Sequence, residues 1–504
     1  MCLRKSCRHL VCNLERAHNF CVTFETLQSP LRFLQSTLSG TCLPDWLQQY
    51  QCWWENEGQD ISDGIDRLGT PWLRMFALSG MRMDEILYPP EYWRMLKHGY
   101  QAGLLWRVSE ENAVFPAGLG IYVTSFYDPG LACPYTVSLS TLVPLLKYGD
   151  AELKERFLPR LLQKDESVWQ GATWMTEIKG GSDLGAGVET VARPAGSQWF
   201  LTGDKYFASN AGAELAVVAA RPDGAPRSVR GLALYLVPRY RGDGQLNYFI
   251  RRIKDKIATR SVPTGEIELR ESQAWLLGKA EHGIYLILEV LNVSRVANSM
   301  GSIALAQRAM ADALSFAQSR VVFGKPLIEQ PLMRRQFEDH FVRLRAASRL
   351  AWKALELLNE VWQQRPPYSD RYHLFRLVAH LAKYWTAEVA AQTAKWAMEV
   401  HGGLGTLQEY RAERWLREAM ILAIWEGPAH RQILDGLEVM ERKRAHHLLL
   451  QSLSAHVGAS AAQDMKARID QHLALPHDEK EAGAEALFAD LAAFTADALL
   501  KAKE

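Results

Sequence analysis

Trp174-Met175-Thr176-Glu177-Ile178-Lys179-Gly180-Gly181-Ser182-Asp183, followed by Leu201-Thr202-Gly203-Asp204-Lys205-Tyr206-Phe207-Ala208-Ser209-Asn210, is the pair of segments on which the reading of this chain turns. Small, hydroxyl-bearing and aromatic residues cluster there at the ends of short β-prone runs. In such places backbone amides and hydroxyls can line a flat apolar ring while the strands stay rigid. Further β-prone runs at 215–220, 232–237 and 266–269 are separated by Gly and Pro, which predicts a β domain over 171–277.

On both sides of this region the periodicity is helical. Residues 60–162 read as mainly helical, with Tyr88-Pro89-Pro90 as a break and Gly149-Asp150-Ala151-Glu152 opening a new helix. Beyond His282, the spacing of Ile303, Ala306, Met310, Ala313 and Ala317 predicts one apolar helical stripe, and long helices are predicted over 333–364, 372–400 and 410–441. The fold class is therefore α+β and multidomain: an N-terminal helical domain (56–170), a middle β domain (171–277), a C-terminal four-helix bundle (278–443) and an appended helical tail (444–504) interrupted at Pro476. The first 40 residues differ in composition from all that follow, and 1–55 are expected to be an N-terminal extension, disordered or arising from a start codon placed too far upstream, with a weak organelle-targeting segment as the alternative.

The chain has 504 residues, 48% hydrophobic and 23% charged, which is enough for several buried cores. A formal charge of +1 provides no whole-molecule attraction to nucleic acid or anionic lipid. Cys2, Cys7, Cys12, Cys21, Cys42 and Cys52 crowd the start and leave only Cys133 in the body, which excludes a disulfide framework there and fits a reducing, cytoplasmic setting. No apolar run is long enough for a membrane span. No Cys/His spacing suggests a metal site, so no metal is expected.

Ile424-Trp425-Glu426-Gly427 places one carboxylate among apolar residues near the end of the predicted bundle. If buried, such a group has its pKa raised toward neutrality, where a general base works best. Its bland alternative is a solvent-exposed Glu at a helix end with Gly427 as the cap. Arg320-Val321-Val322-Phe323-Gly324-Lys325-Pro326, continuing to Gln330, offers a guanidinium fork for phosphate and an apolar ring, but the upstream glycine of a nucleotide P-loop is missing. His401-Gly402-Gly403-Leu404-Gly405 imitates a dinucleotide fingerprint and fails it: Gln408 takes the third glycine position and a helix precedes the turn.

Together these motifs and the order helical, β, helical resemble the acyl-CoA dehydrogenase family, over roughly residues 60–440, and most closely its AidB-like subgroup. The resemblance implies FAD as cofactor, with Met175, Thr176, Phe207 and Ser209 lining the flavin and Ser182 near its phosphate. Arg320, Phe323, Gln330, Glu399, Gly402 and Gly403 would serve a neighbouring subunit's cofactor in a homo-oligomer, a dimer of dimers. Glu399 stands where many relatives have Gln. Glu426 would be the base that takes the α-proton of an acyl-CoA thioester, Arg295 and Ser182 would face the substrate, and electrons would leave to an electron-transfer flavoprotein. Ser294, just before Arg295, excludes the alternative position of the base. The subgroup also implies a role in the DNA alkylation response, with weak dehydrogenation and DNA binding through a basic C-terminal region. Here the residues after Arg444 are net acidic, so DNA binding is expected to be weak or absent.

Overall fold

A computed structural model describes residues 24–38 and 43–502. The N-terminal part holds helices α1 (Pro30–Thr37), α2 (Asp45–Trp53), α3 (Gln59–Leu68), α4 (Pro90–Ala102), α5 (Phe115–Tyr127), α6 (Ala132–Tyr148) and α7 (Ala151–Leu161). Pro90 starts α4 at a position where its missing N–H costs nothing, and Asp150 caps α7 by accepting the Leu153 N–H at 2.9 Å. Two expectations need correction here. Residues 72–87 are not helical but form a hairpin of β1 (Trp72–Phe76) and β2 (Arg82–Leu87), paired antiparallel, and along β1 Leu73 and Met75 alternate in exposure with Trp72, Arg74 and Phe76 as strand residues do. Nor are residues 24–38 and 43–55 a disordered extension: Phe24, Leu27, Leu31, Phe33, Leu34, Leu47, Tyr50 and Trp54 are all buried in the main core. The expectation for residues 1–23 and 39–42 lies outside the described residues.

The middle domain contains β3 (Gly171–Trp174), β4 (Val191–Ala195), β5 (Gln198–Ser209), β6 (Leu215–Pro222), β7 (Ala233–Pro238), β8 (Phe249–Ile253) and β9 (Thr264–Leu276). The order β3-β6-β4-β5-β9-β7, with β6 also pairing β7, closes the sheet on itself; β3 and β4 lie parallel to β6 along one edge. β6 and β7 are buried on both faces, so they read as continuous apolar runs instead of alternating ones.

The C-terminal part opens with α8 (Gly283–Ser319), then α9 (Pro331–Val361), α10 (Asp370–His401), α11 (Ala412–Ile424) and α12 (Ala429–Lys443). Ile303, Ala306, Met310, Ala313 and Ala317 are buried as expected, but α8 is buried on every side rather than along one stripe, because α5, α6, α9, α10 and α11 surround it. The predicted helix over 410–441 is two helices, broken at 425–428. The tail continues as α13 (Ala445–Val457), α14 (Ala459–Leu473) and α15 (Ala484–Lys501). It is less separate than its composition suggests: Phe488 of α15 stacks edge-on to Tyr384 of α10 at 5.5 Å and lies so close to Gly436 of α12 that a Cβ there would sit 2.3 Å from its ring.

Candidate active site

Glu426 occupies the break between α11 and α12. Trp425 is extended, Glu426 has φ 58° and Gly427 φ 95°, and Pro428 then starts α12. A left-handed non-glycine residue costs on the order of 1–3 kcal/mol and persists only where its surroundings enforce it. The enforcers are buried, and Lys383 and Arg295 are also remote in sequence. Lys383 of α10 donates to the carbonyls of Ala423 at 3.0 Å and Gly427 at 2.8 Å. Gln432 donates to the carbonyls of Glu426 at 3.0 Å and Gly427 at 2.9 Å, with its own Oε1 3.0 Å from His380 Nδ1. Arg295 Nε donates to the Glu426 carbonyl at 3.2 Å. None of Lys383, Gln432 or His380 was singled out from the sequence, since each lies in an ordinary helical pattern.

Arg295 itself requires a correction. It is 3% exposed, and its two Nη atoms each place one bond, to Asn292 Oδ1 and Asp435 Oδ2 at 3.1 Å, so in this structure it positions the Glu426 turn from within the protein rather than standing open on a substrate surface. The helix leading to that turn is anchored too. Arg414 of α11 is buried against Asp63 at 3.3 Å, Asp128 at 3.4 Å and Ser62 at 2.9 Å, while Glu418 accepts the Thr259 N–H at 2.9 Å. All three domains therefore meet on α11.

Burial pushes the Glu426 carboxyl up to about 7, although the Arg295 and Lys383 charges pull it back. Its side chain lines a narrow cavity of about 30 Å³ with Trp425, Cys133, Thr136, Val137, Ser294, Asn298 and Gly301. That is room for roughly two waters, so any chain entering it would be gripped closely. Burial likewise raises the Cys133 thiol to about 12, which makes it a neutral apolar wall. Ser294 faces the same cavity and shares a hydrogen bond with Ser140 at 2.9 Å, so no second carboxylate stands opposite Glu426.

Lys383 is itself drawn down to about 7, by burial first and then by Arg295. Loss of its charge favours the protonated form of Glu426. Lys383→Met should therefore move the midpoint of a base-dependent rate to higher pH by about one unit, the size of effect expected from a nearby opposite charge. A pH profile of the half-reaction checks this; an unmoved midpoint would show that Lys383 serves the turn only through hydrogen bonds.

The two segments that opened the reading are joined in space. Tyr206 N–H donates to the Thr176 carbonyl at 3.0 Å, and Lys205 Nζ bonds Glu177 Oε1 at 2.6 Å in the buried interior. Trp174 Nε1 bonds the Ser209 carbonyl at 3.1 Å, which places the ends of β3 and β5 side by side. Met175 is buried, Thr176 and Ser209 are half-buried, Ser182 is exposed on the following loop, and Phe207 remains 56% exposed. An aromatic ring left open beside hydroxyls suits a flat apolar ligand. Arg320, Phe323 and Gln330 form a separate group. Phe323 is 98% exposed on a tight turn, and Gln330 Nε2 holds that turn through the Val322 carbonyl at 3.0 Å. His401, just before the Gly402-Gly403 turn, packs its ring 4.5 Å from that of Phe316, near the end of α8 and a few residues before Arg320. A Cβ added at Gly402 or Gly403 would meet nothing within 4 Å, so a bound group could approach the backbone there. Glu399 is exposed and paired with Lys395, which tempers the charge that would face a diphosphate.

One cluster of metal-ligating side chains occurs among the described residues, His446, His447 and Asp470. Lys466 at 2.5 Å and Arg444 at 3.5 Å already neutralise Asp470, which disfavours a cation there. No described helix is long and apolar enough to cross a membrane.

Comparison with known proteins matches residues 172–272 to the acyl-CoA dehydrogenase middle domain, 281–440 to the acyl-CoA dehydrogenase C-terminal domain, and 62–166 to the N-terminal domain of the adaptive response protein AidB. The chain belongs to the acyl-CoA dehydrogenase family. AidB of Escherichia coli (strain K12) is 29% identical over 82% of this chain and 78% of its own length. Acyl-CoA dehydrogenase family member 11 of Caenorhabditis elegans is 28% identical over 77% of this chain and 66% of its own. Among solved structures, Bd2924 in its apo form superposes with a TM-score of 0.83 at 25% identity, covering 97% of this chain and 98% of that one. As an acyl-CoA dehydrogenase family member with an AidB N-terminal domain, the chain carries the fold class and the subgroup resemblance read from its motifs.

Proposed function

We propose that this protein is an FAD-dependent acyl-CoA dehydrogenase, converting an acyl-CoA thioester to the trans-2-enoyl-CoA. The observation that supports it most directly is Glu426, a carboxylate poised near neutrality in the lining of a narrow cavity and held in a left-handed turn by Lys383, Gln432 and Arg295. Met175, Thr176, Phe207 and Ser209, with Ser182 toward the phosphate, would hold FAD, which when bound would supply the acceptor for the β-hydride. Glu426 takes the α-proton. Trp425, Val137 and Cys133 exclude water around that transfer, which keeps the carboxylate basic and the developing enolate close to its partners. Electrons then pass to an electron-transfer flavoprotein, and the setting of the reaction is cytoplasmic. Anaerobic mixing of the purified yellow protein with a panel of acyl-CoAs, while flavin absorbance is followed, tests the reading; a flavin that no acyl-CoA reduces would defeat it.

The same reading makes the cofactor shared between subunits. Gly301 of α8 lines the Glu426 cavity, and Arg320 lies nineteen residues further along that helix, about 29 Å at 1.5 Å per residue. A second chain brings the Arg320, Phe323 and Gly402-Gly403 group to a flavin floor more readily than this one does. Arg320→Ala should weaken FAD binding by about 1.5–3 kcal/mol through loss of a charge-assisted phosphate contact, and loosen the oligomer with it. Sedimentation of the apo and holo forms checks this. A fully loaded monomer would sink the shared-site model.

The similarity to AidB supports a second reading, a flavoprotein of the alkylation response that binds DNA. The tail offers little for it. Arg442 pairs with Glu438, Arg444 and Lys466 with Asp470, Arg468 with Asp490 and Lys480 with Glu441, so these cations already have partners. Gel-shift titrations of the whole chain should give only weak, salt-sensitive binding; submicromolar affinity at physiological salt would promote this reading above the first.

A further inference from the structure

A second and larger cavity, about 380 Å³, opens where α4 faces the entry of β3 and β6. Gln170 precedes β3 and Met175 follows it, so the extended strand separates this cavity from the flavin floor by about 17 Å. The proposed dehydrogenation uses none of its residues.

Its walls are aromatic and its floor consists of acceptors. Trp93, Tyr100 and Trp169 line it, and the Tyr100 hydroxyl is already bonded to Ser138 at 2.8 Å, leaving only the ring to a ligand. Gln170 is 3% exposed, yet its buried Oε1 has no hydrogen-bond partner, an arrangement that is unfavourable unless a donor arrives. Beside it, Glu214 accepts the Gln170 backbone N–H at 2.7 Å through one oxygen. Charge points the same way. Glu166 and Glu214 line the cavity against the single cation Lys97, whose ammonium sits 3.7 Å from Glu166 and 5.7 Å from the centre of the Trp93 ring. The protein's own ammonium thus already rests on this aromatic wall, at the distance where a ring face attracts a cation.

We propose that this cavity binds a small protonated organic amine, its N–H groups donating to Gln170 Oε1 and Glu214 and its apolar body lying against Trp93 and Trp169. A cavity of this volume matches ordinary small-molecule sites. An anion is disfavoured by the two carboxylates, and a purely apolar ligand would leave Gln170 Oε1 unpaired.

The test uses the flavin-loaded protein, calorimetry and tryptophan emission, with 2-phenylethylammonium as probe and 2-phenylethanol as its neutral counterpart. The amine should bind saturably and about tenfold more tightly than the alcohol, a difference near 1.4 kcal/mol. Glu214→Gln, which keeps the shape, should remove most of that preference. Lys97→Met deletes the resident competitor and should strengthen amine binding, which a merely structural Lys97 would not do. The flavin spectrum should be unchanged by saturation, which separates this site from the Glu426 cavity. Equal binding of amine and alcohol, no saturation in the millimolar range, or weaker binding in Lys97→Met would each overturn the proposal. Should Glu214→Gln fold poorly, the Lys97→Met result decides.

Discussion

Glu426→Gln should yield a protein that folds and retains its flavin while its reduction by acyl-CoA falls by about 10²- to 10⁴-fold, or roughly 3–5 kcal/mol of barrier. Gln preserves the side-chain shape, and the bonds from Lys383, Gln432 and Arg295 all end on backbone carbonyls of this turn, so the left-handed geometry survives the exchange. Only the proton acceptor is lost. In the parent the rate should rise as pH increases through about 7, because burial raises the Glu426 carboxyl to that value and only its ionised form can take a proton. Rapid-mixing measurements of both proteins across pH provide the check, and a variant reduced as fast as the parent would remove Glu426 from the chemistry.

The second large effect is structural. Glu177 lies just after the Met175-Thr176 pair, and its carboxylate accepts from Lys205 at 2.6 Å, Thr190 Oγ1 at 2.6 Å and the Glu189 N–H at 2.7 Å. Burial opposes the charge on Glu177, but Lys205 and these donors outweigh it and hold the carboxyl below its ordinary range. Glu177→Ala would leave the Lys205 ammonium buried with the Ala219 carbonyl, 2.7 Å away, as its remaining partner. Breaking a buried pair from one side costs about 3–5 kcal/mol, so the variant should unfold at markedly lower denaturant and release flavin first. Glu177→Gln keeps most of the hydrogen bonds and should fall between. A midpoint and flavin content equal to the parent's in Glu177→Ala would show that the ion pair does not hold the floor together.

Local pattern carried the sequence reading far. The order of helical, β and helical parts, the paired segments at 174–183 and 201–210, the turn at Gly402 and the isolated carboxylate at Glu426 are all legible because period, turn chemistry and motif reside in neighbouring residues. The same locality explains the misses. The start of the chain looks unlike the rest in composition, yet Phe33 packs against Phe341, Tyr50 bonds Thr124 and Trp54 stacks on Tyr127, all partners on helices far along the chain. The run 410–441 is helical in pattern on both sides of Trp425, and the carbonyl bonds from Lys383, Gln432 and Arg295 explain how the chain holds its left-handed turn. Arg295 read as a substrate contact until its partners Asn292 and Asp435 accounted for its fork. What the sequence determined by itself is which residues are chemically able to act. What tertiary structure alone decided is which of them are desolvated, paired and aimed, because burial and charge proximity depend on segments that meet only after the chain has folded.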